Sequence, residues 1–139
     1  MFATEIEKTV PMPTHILLIE STASKRQSIK PLLSLQFPYS DVTSMGNDMK
    51  SLNFLAQPQE IKPGKSVVVI DVDLTSLDGI GFMESYSRTE HYNASRVIIV
   101  SHSGATEIPA TYEKNPMVQC IARKQAKEIR ACLSGYSFN

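Results

Sequence analysis

Short β-branched apolar runs alternate along the chain with stretches whose apolar residues recur every three or four positions. That alternation predicts parallel strands joined by crossover helices. The first run, His15-Ile16-Leu17-Leu18-Ile19-Glu20, is apolar almost throughout, as a central strand covered on both faces must be. Ser21 or Thr22 caps the helix predicted after it, whose apolar positions are Ile29, Leu32 and Leu33. Pro31 is expected to kink that helix or end it early. A short strand is expected near Ser40–Thr43, then a helix after Gly46-Asn47-Asp48 marked by Met49, Leu52 and Leu55 and stopped by Pro58. The clearest strand is Ser66-Val67-Val68-Val69-Ile70-Asp71, followed by a loop and a helix using Ile80, Met83 and Tyr86. Arg96 to Ser101 reads as the fourth strand, a short helix with Pro109 near Ala105–Glu113 follows, and Met117 to Ala122 reads as the fifth. A last helix places Ala126, Ile129, Cys132 and Leu133 on one face, and Gly135 can end it.

Five such units with right-handed crossovers give an α/β fold: an open, doubly wound, five-stranded parallel sheet with helices on both faces. Its ligand crevice is expected at the carboxyl ends of the strands. Residues 1–13 read as a polar, flexible N-terminal arm, 14–135 as one domain and 136–139 as a C-terminal tail.

Composition adds exclusions. The 139 residues are 42% hydrophobic and 20% charged, with Lys plus Arg and Asp plus Glu balanced at 14 each. A neutral domain carries no electrostatic footprint for direct nucleic-acid binding or for an anionic membrane, and Lys124, Lys127 and Arg130 read as a solvated face of the last helix. No apolar run reaches the length of a membrane span, and the first residues do not read as a signal peptide. The two cysteines, Cys120 and Cys132, lack metal-ligand spacing and read as free thiols of a reducing, cytoplasmic compartment.

The polar residues fall in a telling place. Three predicted strands end in a polar group, Glu20, Asp71 and Ser101, and the fifth is followed by Arg123 and Lys124. In a parallel sheet these ends share one edge, so topology gathers a carboxylate, a second acid, a hydroxyl and a cation in one crevice. That set suits phosphoryl transfer to a carboxylate: an aspartate nucleophile, acids that hold Mg²⁺, and a hydroxyl and cation that bind the phosphoryl oxygens. Taken singly, Glu20 and Asp71 read as capping or solvated strand ends; it is the whole set on one sheet edge that favours the functional reading. A flavodoxin-like enzyme or ligand binder is a weaker alternative, because Ser21-Thr22-Ala23-Ser24 lacks the glycine of a phosphate-cradling loop.

The stretch from Val67 to Gly79 resembles the response-regulator receiver family of two-component signalling. Asp71 stands at the phosphoacceptor position and Asp78-Gly79 follow at the family's spacing. Ser101, thirty residues after Asp71, matches the switch Ser or Thr, and Arg123, or Lys124 one residue on, matches the lysine after the fifth strand. The resemblance spans residues 14–134 and implies the flavodoxin-like receiver fold. It also implies Mg²⁺ held by Glu20, Asp71 and Asp73 at a weakened site, and phosphoryl binding by Ser101 and Arg123 or Lys124. The departures make the chain an atypical member. Ser21 replaces an acid, Thr75 replaces a proline, His102 stands where a small residue is usual, and Cys120 replaces the switch aromatic. The function implied is that of a phosphoacceptor in a phosphorelay, not an enzyme. Its donor would be a histidine kinase or phosphotransfer protein, and its output a downstream regulatory protein or a fused effector domain, with pairing into a homodimer open to it. The alternative is a pseudo-receiver, a phosphorylation-independent interaction or dimerisation module.

Overall fold

The computed structural model describes residues 12–56, 65–71, 77–100, 110–121 and 126–133. The strands are β1 (His15–Glu20), β2 (Asp41–Met45), β3 (Ser66–Asp71), β4 (Arg96–Val100) and β5 (Gln119–Ile121), all paired in parallel in the order β2-β1-β3-β4-β5. The helices are α1 (Ala23–Gln36), α2 (Met49–Leu55), α3 (Leu77–Ser87), α4 (Glu90–Ala94) and α5 (Ala126–Cys132), with a 3-10 turn at Ala110–Tyr112. The parallel α/β architecture expected from the alternation is therefore the one observed.

Period-two alternation divides the sheet residues between two cores. Leu17, Ile19, Val68, Ile70, Val97 and Ile99 face Leu55 of α2, Phe82, Met83 and Tyr86 of α3, and Tyr92 of α4. Ile16, Leu18, Val67, Val69, Ile98 and Val100 face Ile29 and Leu33 of α1, Phe37, Ile129 of α5 and Leu133 just after it. Every residue of β3 is buried, which explains its unbroken valine run.

Several expectations change against the structure. Pro31 neither ends nor shortens α1, which continues to Gln36. Position 31 lies on the exposed side, so the carbonyl that loses its partner can turn to water, while Ile29 and Leu33 hold the opposite side in the core. Leu32, expected in the core, is exposed, because the buried stripe of α1 is the narrow one through Ile29, Leu33 and Phe37. The second strand begins at Asp41, where the Asp41 N–H donates to Thr14 O at 2.9 Å; Ser40 is instead a turn residue whose hydroxyl donates to Pro13 O. Among the described residues, the expected helix near 105–113 contributes only the turn at Ala110–Tyr112. An additional helix, α4, precedes β4, and the Thr89 hydroxyl caps it by accepting the Tyr92 N–H at 3.1 Å. Pro58, Pro109 and Gly135 lie outside the described residues.

Candidate functional site at the carboxyl edge of the sheet

The connection from β1 runs outward to β2, and the chain then returns to place β3 on the other side of β1. The strand order therefore reverses between β1 and β3, the position at which open parallel sheets leave a crevice beyond their carboxyl ends. Glu20 and Asp71 are register partners at that point. Neighbouring strands lie about 4.8 Å apart, and alternation sets both residues on the side of the sheet that faces α1 and α5. They are 1% and 5% exposed, so two acids sit side by side in a nearly dry environment. Such a pair requires hydrogen bonds or a cation to compensate it.

Part of that compensation is local. The Glu20 carboxylate accepts the backbone N–H of Thr22 at 3.0 Å, and the Glu20 carbonyl accepts from Arg26 Nη1 at 2.5 Å. Thr22 is the residue that precedes α1, and its own hydroxyl makes no capping bond. The expected cap by Ser21 or Thr22 is thus replaced by the carboxylate of Glu20, an anion at the positive end of a helix. Ser21 itself is exposed and adds no charge where a second acid was the alternative.

Glu20 and Asp71 are the predicted site residues that the structure brings together. Asp78 lies in the first turn of α3 and is exposed, while Gly79 beside it is buried. Asp73, Thr75, Ser101, His102, Arg123 and Lys124 lie outside the described residues. The backbone of Cys120 pairs with Ile99 in β5, and its side chain is outside the described part. Cys132 is partly buried and packs against the α1 side of the core. Among the described residues, no three His, Cys, Asp or Glu side chains gather as a metal cluster, and no helix is long and apolar enough to cross a membrane.

Two features went unnoticed in the sequence. Arg26 is one: a cation near the N-terminus of a helix opposes the macrodipole, and that anomaly signals a specific partner, here the carbonyl that ends β1. Arg26 also reaches the end of β2, since a Cβ placed on Gly46 would lie 3.5 Å from both Arg26 Nη1 and Asp48 Oδ2. The open groove between α1 and β2, ≈ 560 Å³ and lined by Arg26, Gln27, Lys30, Ser34 and Ser44 among others, does not include Glu20 or Asp71. The second feature is a buried polar network at the opposite, amino edge of the sheet. Tyr86 and Ser95 hydroxyls lie 2.9 and 3.1 Å from His91 Nδ1. Asn115 donates to the carbonyls of Tyr92 and Ser95 and accepts from the Met117 N–H, and the Tyr92 hydroxyl donates to Tyr112 O at 2.7 Å. Burial pushes the phenols of Tyr86, Tyr92 and Tyr112 upward; the Ser95 hydrogen bond partly offsets this for Tyr86. This network ties α3, α4 and the residues before β5 together, far along the strands from the acid pair.

The fold is similar to that of a response regulator receiver protein from Dyadobacter fermentans DSM 18053. The TM-score is 0.57 at 17% identity, over 86% of this chain and 94% of that one. It is also similar to a response regulator from Colwellia psychrerythraea, with a TM-score of 0.52 at 11% identity over 86% of this chain and 93% of the other. No family model matches the sequence, and no curated protein matches it. At these identities the likeness is one of fold: the chain has the receiver fold.

Proposed function

We propose that this chain is a receiver-type signalling domain that accepts a phosphoryl group on Asp71. The observation that carries the reading is the buried register pair Glu20–Asp71 at the switch point of a receiver fold. The donor is a histidine kinase or a phosphotransfer protein. An oxygen of the Asp71 carboxylate attacks phosphorus, the bond to the donor's imidazole nitrogen breaks, and that nitrogen keeps the electron pair and takes up a proton. The product is an acyl phosphate on Asp71 and a neutral histidine.

Paired carboxylates fit a hard divalent cation, which takes oxygen ligands. Glu20 and Asp71 would hold Mg²⁺, with Asp73 the further candidate at the mouth; when bound, Mg²⁺ supplies charge neutralisation for the phosphoryl oxygens. Ser101 and Arg123, or Lys124, are proposed to hydrogen-bond those oxygens, and Thr75, Ser21, His102 and Cys120 to set how this pocket differs from an ordinary one. The output is altered docking of a downstream regulatory protein, a second copy or a fused effector domain, in the cytoplasm. The domain is a substrate and switch rather than an enzyme.

A second reading has one specific observation in its favour. The Glu20 carboxylate is already engaged with the Thr22 N–H, as a purely structural cap would be. A pseudo-receiver would keep that cap and the fold while its pocket no longer cycles. Incubation with a small acyl phosphate donor across a Mg²⁺ series, read by intact-protein mass, separates the two. Mg²⁺-dependent gain of one phosphoryl group, absent in Asp71→Asn, supports the phosphoacceptor. No gain at any Mg²⁺ concentration in a folded protein supports the pseudo-receiver.

A further inference from the structure

β2 ends the sheet on one side, and among the described residues no strand pairs with its other edge. One bond shows which of its backbone groups face outward. The Asp41 N–H donates to Thr14 O at 2.9 Å, so Asp41, Thr43 and Met45 turn their backbone groups toward β1. Val42 and Ser44 then turn their N–H and C=O away from it. Edge strands are commonly blunted by lysine, proline or a bulge. β2 reads Asp41-Val42-Thr43-Ser44-Met45 and pairs with β1 in unbroken register, so it has none of these.

The flank beside that edge is cationic. The groove between α1 and β2 is lined by Arg26, Gln27, Lys30 and Ser34 of α1 and by Ser44 of β2. Positions 26, 30 and 34 follow at four-residue steps, one flank of the helix. Among the described residues, the lining holds two cations and no carboxylate. Ser44 lies on the α1 side of the sheet, as does Val42, which packs against the α1 core, whereas Met45 packs against the opposite one. A strand laid along β2 would therefore present every second side chain to this flank. Those side chains repeat at about 6–7 Å, and Arg26 and Lys30 are about 6 Å apart along the helix axis. Arg26 gives Nη1 to the Glu20 carbonyl and has further N–H groups to offer. Of the nearby acids, Asp48 accepts the Ser51 N–H, and Asp41 lies at the amino end of β2, away from Arg26. A second copy is the poorer occupant. Pairing β2 with β2 about a two-fold axis sets Arg26 and Lys30 of one chain beside those of the other.

We propose that β2 is a docking edge for an extended acidic segment of another protein. The segment adds beside β2 as a further strand, with carboxylates at alternate positions against Arg26 and Lys30. Backbone bonds to Val42 and Ser44 supply affinity, and the two cations select acidic sequence. The surface does not use Asp71, so it is independent of the phosphoacceptor reading.

The probe is a fluorescent peptide of alternating glutamate and valine, added to the full chain. Anisotropy reads binding, NMR reads amide exchange, and sedimentation reads the mass of the free protein. The expected result is saturable binding that slows exchange of the Val42 and Ser44 N–H by about tenfold or more, with Thr43 and Met45 unchanged. Lys30→Glu, at an exposed position, should keep the circular dichroism of the fold and weaken binding about tenfold. A peptide with lysine for glutamate, or with every amide N-methylated, should not bind. Absence of binding overturns the proposal, as does equal binding of either control peptide or indifference to Lys30→Glu. Binding without protection of Val42 and Ser44 also overturns it. So does a free protein already dimeric with those two amides protected, which would give the edge to a second copy.

Discussion

At position 20 one carboxylate faces two demands. It satisfies the Thr22 N–H at the start of α1 and borders Asp71 across the strand pair. Glu20→Ala removes a buried acceptor and leaves that N–H unpaired, so it should cost about 1–3 kcal/mol of stability, read by urea unfolding. Glu20→Gln keeps the acceptor and loses the charge, and should cost much less while still weakening Mg²⁺-dependent labelling of Asp71. Asn115 is the matching residue at the other edge. Its side chain serves the Tyr92 and Ser95 carbonyls and the Met117 N–H. Asn115→Ala should destabilise by about 2–4 kcal/mol, again by urea unfolding, without abolishing labelling. Asp71 and Glu20 were legible in the sequence because each ends a greasy strand, where a charge has a topological reason to be. Arg26 and Asn115 were not, because their bonds are to backbone groups whose positions only the packed chain defines, and His91 was not, because its ring meets the Tyr86 and Ser95 hydroxyls only once α3 and α4 are packed.

Among the elements, α1 is the most instructive. Pro31 sits in its interior, where it removes one backbone bond, yet the helix runs on to Gln36. Burial of Ile29, Leu33 and Phe37 against the sheet outweighs that local cost. Pro31→Ala should therefore restore a hydrogen bond without disturbing the core, and raise unfolding stability by about 1–3 kcal/mol. A decrease in the urea midpoint would show that the ring itself packs usefully. The strands were legible because their apolar runs are too short for helices and bounded by turn residues. Helix α4 was missed because five residues cannot show a helical period; its one signal was Thr89 ahead of Glu90, His91 and Tyr92. Ser40 was misplaced into β2 because strand ends depend on which carbonyl faces them, here Thr14 O for Asp41 and Pro13 O for Ser40.

For the molecule as a whole, the two cores depend on different chemistry. The α1–α5 side is aliphatic apart from Phe37, whereas the α2–α4 side contains Phe82, Tyr86, Tyr92 and Tyr112, with Tyr86 edge-on to Tyr92 at 5.3 Å between ring centroids. The folded values of these three phenols are raised, so the folded state holds their protons more tightly than the unfolded chain does. The stability they contribute is complete below the ordinary phenol value of about 10. It is lost as pH climbs past that value toward the raised ones. In an alkaline titration, their phenolate absorbance should appear together with the loss of circular dichroism, not before it. The sheet order, with its reversal between β1 and β3, places Glu20 beside Asp71 at the far edge from this tyrosine network, and the signalling account depends on that placement. The most direct test traps the product. After reaction with an acyl phosphate donor and Mg²⁺, borohydride reduces an aspartyl phosphate to homoserine, and peptide sequencing locates it. Homoserine at position 71 is the predicted result; homoserine at another aspartate, or none in the folded protein, would contradict the account.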